Sequence, residues 1–278
     1  MKKVPDSPVQ KQKIVNAYFQ AQTMVWKEIY TRGDVQAETI RDRHAAVLDW
    51  IDTLALEPGS KVLEIGCGAG FMAIALAQRG FRVYAIDSAE SMIEQAHQNA
   101  MESRVTDLLS LDIGDVYTLA FNDESFDLVL AIGVIPWLER ADVAIQQMAR
   151  VTKHSGHIIL SYANRVGLVS LLDPWTNPVL VPLKRRLKET FERIARHRKS
   201  PTMIFHSSRF IDCNLAGAKL VKIKSMTRGF SCSFRHKVLP EPFGTGLHHR
   251  LQCLADRNLP GFRSIGMASF VLARKLEF

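Results

Sequence analysis

Apolar residues recur at helical spacing through the first fifty positions. Ile14, Tyr18 and Phe19, then Met24, Trp26 and Ile29, and later Ala46, Val47, Trp50, Ile51 and Leu54 each fall on one side of a 3.6-residue wheel. The spacing predicts an N-terminal helical cap over residues 1–55. Glu57-Pro58-Gly59-Ser60 punctuates a turn, after which the pattern changes period. Short apolar runs fit strands at Lys61 to Ile65, Phe81 to Ile86, Asp107 to Leu111, Phe126 to Ile132 and His157 to Tyr162. Helical stretches fit between them at Phe71 to Arg79, Ala89 to Met101 and Arg140 to Thr152, and a turn is expected at His154-Ser155-Gly156. Strands alternating with helices imply parallel pairing, so the expected fold is α/β, a doubly wound, mainly parallel sheet of seven strands spanning residues 56–278.

The alternation breaks after Tyr162. A Pro-punctuated stretch reads as an insertion of about 163–207, followed by a helix Ser208 to Ala216 and a strand around Lys219 to Met226. Pro240, Pro242, Gly244 and Gly246 predict a loop, and Gly266 to Arg274 a last strand.

Composition adds limits. The chain has 278 residues, 47% of them apolar and 23% charged, ordinary for a globular protein. Four cysteines without a CxxC pair suit reduced thiols and give no zinc pattern, so no metal is expected. The basic start MKKVPDSPVQKQK is followed by polar residues rather than a signal-like apolar run. A cytoplasmic protein is expected, in contact with the inner membrane surface at most peripherally. The net charge of +8 is concentrated: residues 184–199 hold eight Lys or Arg against Glu189 and Glu192, six of the eight net charges. Leu183, Leu187, Phe191, Ile194 and Ala195 give this basic segment an apolar stripe, so 183–199 reads as an amphipathic helix suited to a lid, a membrane surface or ordinary packing. The greasy LVSLLDPWTNPVLVP before it argues against nucleic acid.

The candidate chemistry lies in KVLEIGCGAGF. Gly66, Gly68 and Gly70 let the backbone turn tightly and lie against a ligand, with the next helix pointing its N-terminus there. A dinucleotide pyrophosphate favours GxGxxG, whose third glycine would fall at Phe71, and Glu64 would repel it. A cofactor bearing an ammonium and a sulfonium has the opposite sign and suits Glu64. Asp87 closes the second strand 23 positions after Glu64, where it either caps the following helix or accepts two ribose hydroxyls.

With these surroundings the segment resembles motif I of class I S-adenosylmethionine-dependent methyltransferases, and the resemblance extends over roughly residues 60–162. It implies that Gly66, Gly68 and Gly70 contact the methionine portion of S-adenosylmethionine and that Asp87, with Ser88 beside it, holds the ribose. It also implies that Asp115, with Val116 following, accepts from the adenine amino group. Asp115 competes with Asp112, and its bland alternative is a carboxylate bonding its own turn. Ile132 is expected to flank the sulfonium, Trp137 to be either core or substrate platform, and Tyr18 to reach the cofactor from the cap or simply to pack.

Methyl transfer is an in-line displacement, so alignment and a dry pocket matter more than a triad, and a base is needed only if the nucleophile has a proton to lose. His206 and the His248-His249 pair are the candidate bases, with surface or core histidine the competing reading for each. The expected activity is methylation of a small, hydrophobic acceptor, at oxygen by preference. C- or N-methylation and a non-catalytic S-adenosylmethionine-binding role are the alternatives. The general plan is similar to ubiquinone-type O-methyltransferases.

Overall fold

The computed structural model describes residues 8–22, 33–167, 201, 203–230, 233–234, 237–238, 243–257 and 259–277. The basic segment 183–199 and most of the expected insertion lie outside these residues, as do Met24, Trp26 and Ile29.

Two helices precede the sheet, α1 (Pro8–Ala21) and α2 (Val35–Asp52). Asp34 caps α2, its side chain accepting from the Ala37 amide at 2.9 Å. Then come β1 (Lys61–Ile65), α3 (Phe71–Ala77), β2 (Arg82–Asp87), α4 (Glu90–Glu102), β3 (Leu109–Ile113) and β4 (Phe126–Ala131). A short 3₁₀ turn (Ile135–Trp137) leads to α5 (Ala141–Val151), β5 (Thr152–Asn164), β6 (Phe205–His206), α6 (Ser208–Gly217) and β7 (Leu220–Arg228). A two-strand pair, β8 (Ser233–Phe234) with β9 (Lys237–Val238), precedes α7 (Phe243–Asp256) and β10 (Ala268–Lys275).

The main sheet runs β3-β2-β1-β4-β5-β10-β7, the expected seven strands, with two-residue β6 added beside β5 as an eighth. The first five strands are parallel, and β10 lies antiparallel between β5 and β7. Strand order reverses between β1 and β4, which opens a crevice at their carboxyl ends.

Alternating residues bury two cores. Val62, Val83, Leu128, Leu130 and Ile159 pack under α2, α3 and α4, while Leu63, Val129, Ile158 and Leu160 pack under α5 and α6. The central strands β1, β4 and β5 are buried on both faces, so they read as short apolar runs rather than alternations, whereas the edge strands β3 and β7 are largely exposed.

Three expectations change. The expected loop around Gly244 and Gly246 is instead the helix α7, whose glycines are offset by packing against α2 and β7. The turn at His154-Ser155-Gly156 is absorbed into β5: the pairing with β4 jumps from Phe126↔Thr152 to Leu128↔His157, and Ser155 takes a φ of 59°. The third strand begins at Leu109, two residues beyond the expected start.

Candidate functional site

The loop after β1 is held open by three glycines with three different surroundings. A Cβ on Gly66 would stand 2.4 Å from Val134 Cγ2, and one on Gly70 2.9 Å from Ala96 Cβ. These two let the loop nest against the segment after β4 and against α4. Gly68, at φ +52°, faces open space, with nothing within 4 Å of an added Cβ. It is the glycine of the three whose face is free for a ligand.

Asp87 braces this loop from β2. Its Oδ2 accepts from the Gly68 amide and its Oδ1 from the Ala89 amide, both at 2.9 Å. The helix-capping role weighed against ligand binding is not found: Ala89 caps α4 without a side-chain bond, and Asp87 instead closes the turn leading into the helix. It uses one acceptor site on each oxygen and leaves others free. Glu64 is 4% exposed and points to the same place. It accepts from the Ala73 amide in the first turn of α3, yet its Oε2 is buried with no partner. Burial, and then the charge of Asp87, push the Glu64 carboxyl up to about 8. Burial raises Asp87 as well, against the three backbone amides that hold it down. Burial and these two carboxylates raise the Cys67 thiol, which therefore stays unreactive.

Two buried amides missed in the sequence complete the frame. Asn99 Nδ2 donates to the Ala69 carbonyl at 2.8 Å, and Gln95 Nε2 donates to Asn99 Oδ1 at 3.0 Å. They lie one turn apart on the buried face of α4. Polar residues at that spacing within an otherwise apolar stripe were the available signal.

The segment after β4 forms the other wall. The Gly133 amide donates to Ser161 Oγ at 2.7 Å, and Ile132 is half-buried beside β1. Trp137 meets α1: its ring lies 6.3 Å from Tyr18 at an interplanar angle of 30°, and 5.2 Å from Phe19, edge-on. Tyr18 and Trp137 are therefore brought together. Ser88 donates to Asn16 Oδ1 at 3.1 Å, which ties α1 to the end of β2 through a residue the sequence did not single out.

A cleft of about 450 Å³ opens between α1 and the start of α5, lined by Lys13, Asn16, Asp115, Tyr117 and Arg140 among others. Asp115 Oδ1 accepts from the Tyr117 amide at 2.9 Å, the turn-stabilising bond anticipated as its bland role, and the residue is exposed on the cleft wall. Val116 is buried behind it. Asp112 Oδ1 is engaged with the Ile113 amide.

The three histidines separate. His248 is fully buried in α7, with Nδ1 accepting from the Phe230 amide at 3.2 Å and Nε2 against Asp42 Oδ2 at 3.2 Å. Exposed His249 pairs through Nε2 with Glu38 Oε1 at 2.7 Å. Both fasten α7 to α2. His206 pairs opposite Asn164 at the carboxyl end of β5, where Ile204 bonds the Pro136 carbonyl. It stacks on Phe210 with centroids 4.8 Å apart, its Nε2 is buried without a partner, and burial lowers its basicity. Among the described residues no group of three His, Cys, Asp or Glu is placed to hold a metal ion.

A ligand of the expected kind fits what is present: an open glycine face, an orphaned buried carboxylate oxygen for a cation, and a bracing aspartate with acceptor sites left. The fold is a doubly wound, Rossmann-like sheet with the expected glycine cradle at its switch point. Residues 63–160 match the methyltransferase-domain family described as "Methyltransferase domain".

Among curated proteins, the chain is similar to the ubiquinone biosynthesis O-methyltransferase of Paracidovorax citrulli, 31% identical over 125 residues, 45% of this chain and 52% of that protein. The chain spans about half the length of the curated relatives it matches first. Among solved structures it resembles the magnesium protoporphyrin IX methyltransferase of Synechocystis PCC 6803 with bound S-adenosylhomocysteine. That likeness has a TM-score of 0.64 at 20% identity, covering 95% of this chain and 99% of the other. It also resembles the [4+2]-cyclase SpnF, with a TM-score of 0.63 at 17% identity, covering 99% and 98%. At these identities the structural likenesses concern the fold.

Proposed function

We propose that this chain transfers a methyl group from S-adenosylmethionine to a small, hydrophobic acceptor, at oxygen by preference. The observation that carries the reading is the orphaned Glu64 carboxylate oxygen, buried beside Asp87 and the open face of Gly68. Two buried carboxyls with raised pKa values suit a cation, and a pyrophosphate would meet the wrong sign. When bound, the cofactor supplies an electrophilic methyl on a sulfonium. In this reading Glu64 receives the ammonium of the methionine portion, and Gly66, Gly68 and Gly70 shape the backbone along it. Asp87, with Ser88 alongside, holds the ribose hydroxyls. Asp115 keeps an oxygen for the adenine amino group, with Val116 behind the ring. Ile132 flanks the transfer position, and Tyr18 with Trp137 closes one side against water.

If the acceptor is a hydroxyl, His206 is the better-placed base. Burial keeps its ring neutral, and it stands at the carboxyl end of the sheet, whereas His248 and His249 are engaged with α2. Oxygen is preferred because a curated relative carries O-methyltransferase in its name.

The domain plan we favour is a cap over residues 1–55 on a methyltransferase domain of 56–278, interrupted at about 163–207. No helix among the described residues is long and apolar enough to cross a membrane. The charge of 183–199 favours peripheral contact with anionic lipid, and Arg185, Arg186 and Arg193 reversed to Glu should then reduce sedimentation with anionic liposomes.

The test of the main reading is S-adenosylhomocysteine formation with hydrophobic phenols, amines and carboxylic acids, the product being fragmented to locate the methyl group. Tight cofactor binding without turnover on any class would favour a second reading. In that reading the cradle serves another purpose, which the likeness in fold to a cyclase makes concrete.

A further inference from the structure

We propose that Arg43 is the anchor for a carboxylate group carried by the acceptor. The inference deepens the methyltransferase reading and rests on it. Thr39, Arg43, Val47 and Ile51 repeat every four residues along α2, so they share one stripe, and Val47 and Ile51 are buried against the sheet. Arg43 puts a cation where that stripe calls for an apolar side chain.

Among the described residues the guanidinium has no compensating anion. Its Nε and Nη2 are shut from solvent without a partner, although the residue as a whole is only partly buried. The fork therefore sits just beneath the surface. Burial lowers its pKa to about 10, which leaves it cationic near neutrality. The two carboxylates nearest in the helix are committed elsewhere, Glu38 to His249 and Asp42 to His248. His44 next to it is pushed down to about 4 by burial and then by Arg43, so it adds neither charge.

The orphaned atoms are the two that make a fork. Nε–H and Nη2–H run parallel on one edge of the guanidinium and match the two oxygens of a carboxylate. Elsewhere in this molecule the same edge is filled in that way. Arg79 offers Nε at 2.9 Å and Nη2 at 3.3 Å to the two oxygens of Asp52, and Arg140 offers Nε at 3.0 Å and Nη2 at 2.7 Å to Asp142. In Arg43 that edge meets no carboxylate among the described residues.

Its place suits an acceptor. Gly229 follows β7, whose last residue Arg228 pairs with Ala268, which in turn pairs with Ala163 at the carboxyl end of β5. The guanidinium lies against Gly229, where an added Cβ would stand 2.6 Å from Nη2. Arg43 is therefore at the carboxyl edge, on the face of the sheet that also carries Glu64, in the direction of the antiparallel strands.

The test uses the full chain, as wild type, Arg43→Met and Arg43→Lys. Benzoate, cinnamate, octanoate and decanoate, their carboxamides, and inorganic phosphate are titrated calorimetrically with and without S-adenosylhomocysteine. The expected result is that at least one carboxylate binds the wild type about tenfold or more tighter than its amide. Arg43→Met should lose that preference and melt no lower than wild type, since a lone buried charge has gone. Arg43→Lys, a point charge without the fork, should keep only part of the preference, and it carries the test if the Met variant does not fold. S-adenosylhomocysteine affinity should be equal in all three proteins. No preference for carboxylate in wild type, an unchanged preference in both variants, or a response to phosphate alone would each overturn the proposal. Failure of S-adenosylhomocysteine to bind would instead strike the methyltransferase reading.

Discussion

Glu64 and Arg43 are two buried ionisable groups on one face of the sheet, each with polar atoms left unpartnered, and they meet that situation differently. Glu64 can shed its charge by taking a proton, as its value near 8 records, so the cradle is tolerable without a cation. Arg43 cannot deprotonate near neutrality and must carry its charge. The cradle is thus poised electrostatically, whereas the arginine site is held in a costly state by the surrounding packing. An unpaired buried cation signals function more strongly than a carboxyl that can neutralise itself.

The largest expected effect separates ligand from scaffold inside the cradle. Gly68→Ala places a methyl group in the open face and should weaken S-adenosylmethionine binding by about a hundredfold or more in calorimetry, with a stability loss of about 1 kcal/mol from its positive φ. Gly66→Ala carries the same backbone strain and also collides with Val134, so it should lower stability by about 1–3 kcal/mol more than Gly68→Ala in denaturant unfolding. Equal loss of binding and equal stability in the two variants would remove the distinction between a ligand-facing and a packing glycine.

Next comes the charge of Glu64. Its folded value lies above the ordinary 4.5, so its contribution to stability is fully present below about 4.5 and is lost as pH rises through about 8. Glu64→Gln should remove that loss and be the more stable protein at pH 8, by a few kcal/mol in order of magnitude. For cofactor affinity the sign is opposite: the ionised carboxylate binds the cation, so wild-type affinity should rise by up to about tenfold per pH unit until about pH 8. Glu64→Gln should bind more weakly, without that dependence. A flat wild-type profile would mean that Glu64 does not meet the ammonium.

Away from the cradle, His248→Ala removes both bonds that fasten α7 to Phe230 and Asp42. It should cost about 1–3 kcal/mol while leaving S-adenosylhomocysteine affinity unchanged. The smallest effect is expected from Tyr18→Phe, which keeps the stack on Trp137. Cofactor affinity should change by no more than about threefold if the ring serves only to close the site. A larger loss would give the hydroxyl a direct contact.

Legibility followed locality. The cradle is made by residues close in sequence, and β1, its glycine loop and the end of β2 each announce themselves by strand length, turn chemistry and charge. Even there, KVLEIGCGAG did not reveal that its three glycines do different work, because Val134 and Ala96 come from other elements. The α7 helix was missed because Gly244 and Gly246 argue locally for a loop and packing on α2 outweighs them. The pairs His248–Asp42 and His249–Glu38 join residues more than 200 positions apart, which is why these histidines remained candidates for catalysis in the sequence.

The sequence by itself determined the order of strands and helices, the class of the sheet and the sign of charge in the cofactor cradle, since these depend on periodicity and short-range chemistry. Tertiary structure alone decided which buried groups find partners. Arg43 looks like many other charged residues along the chain, and even for Glu64, marked out by its place before the glycine loop, only the packing shows which polar atom no neighbour satisfies.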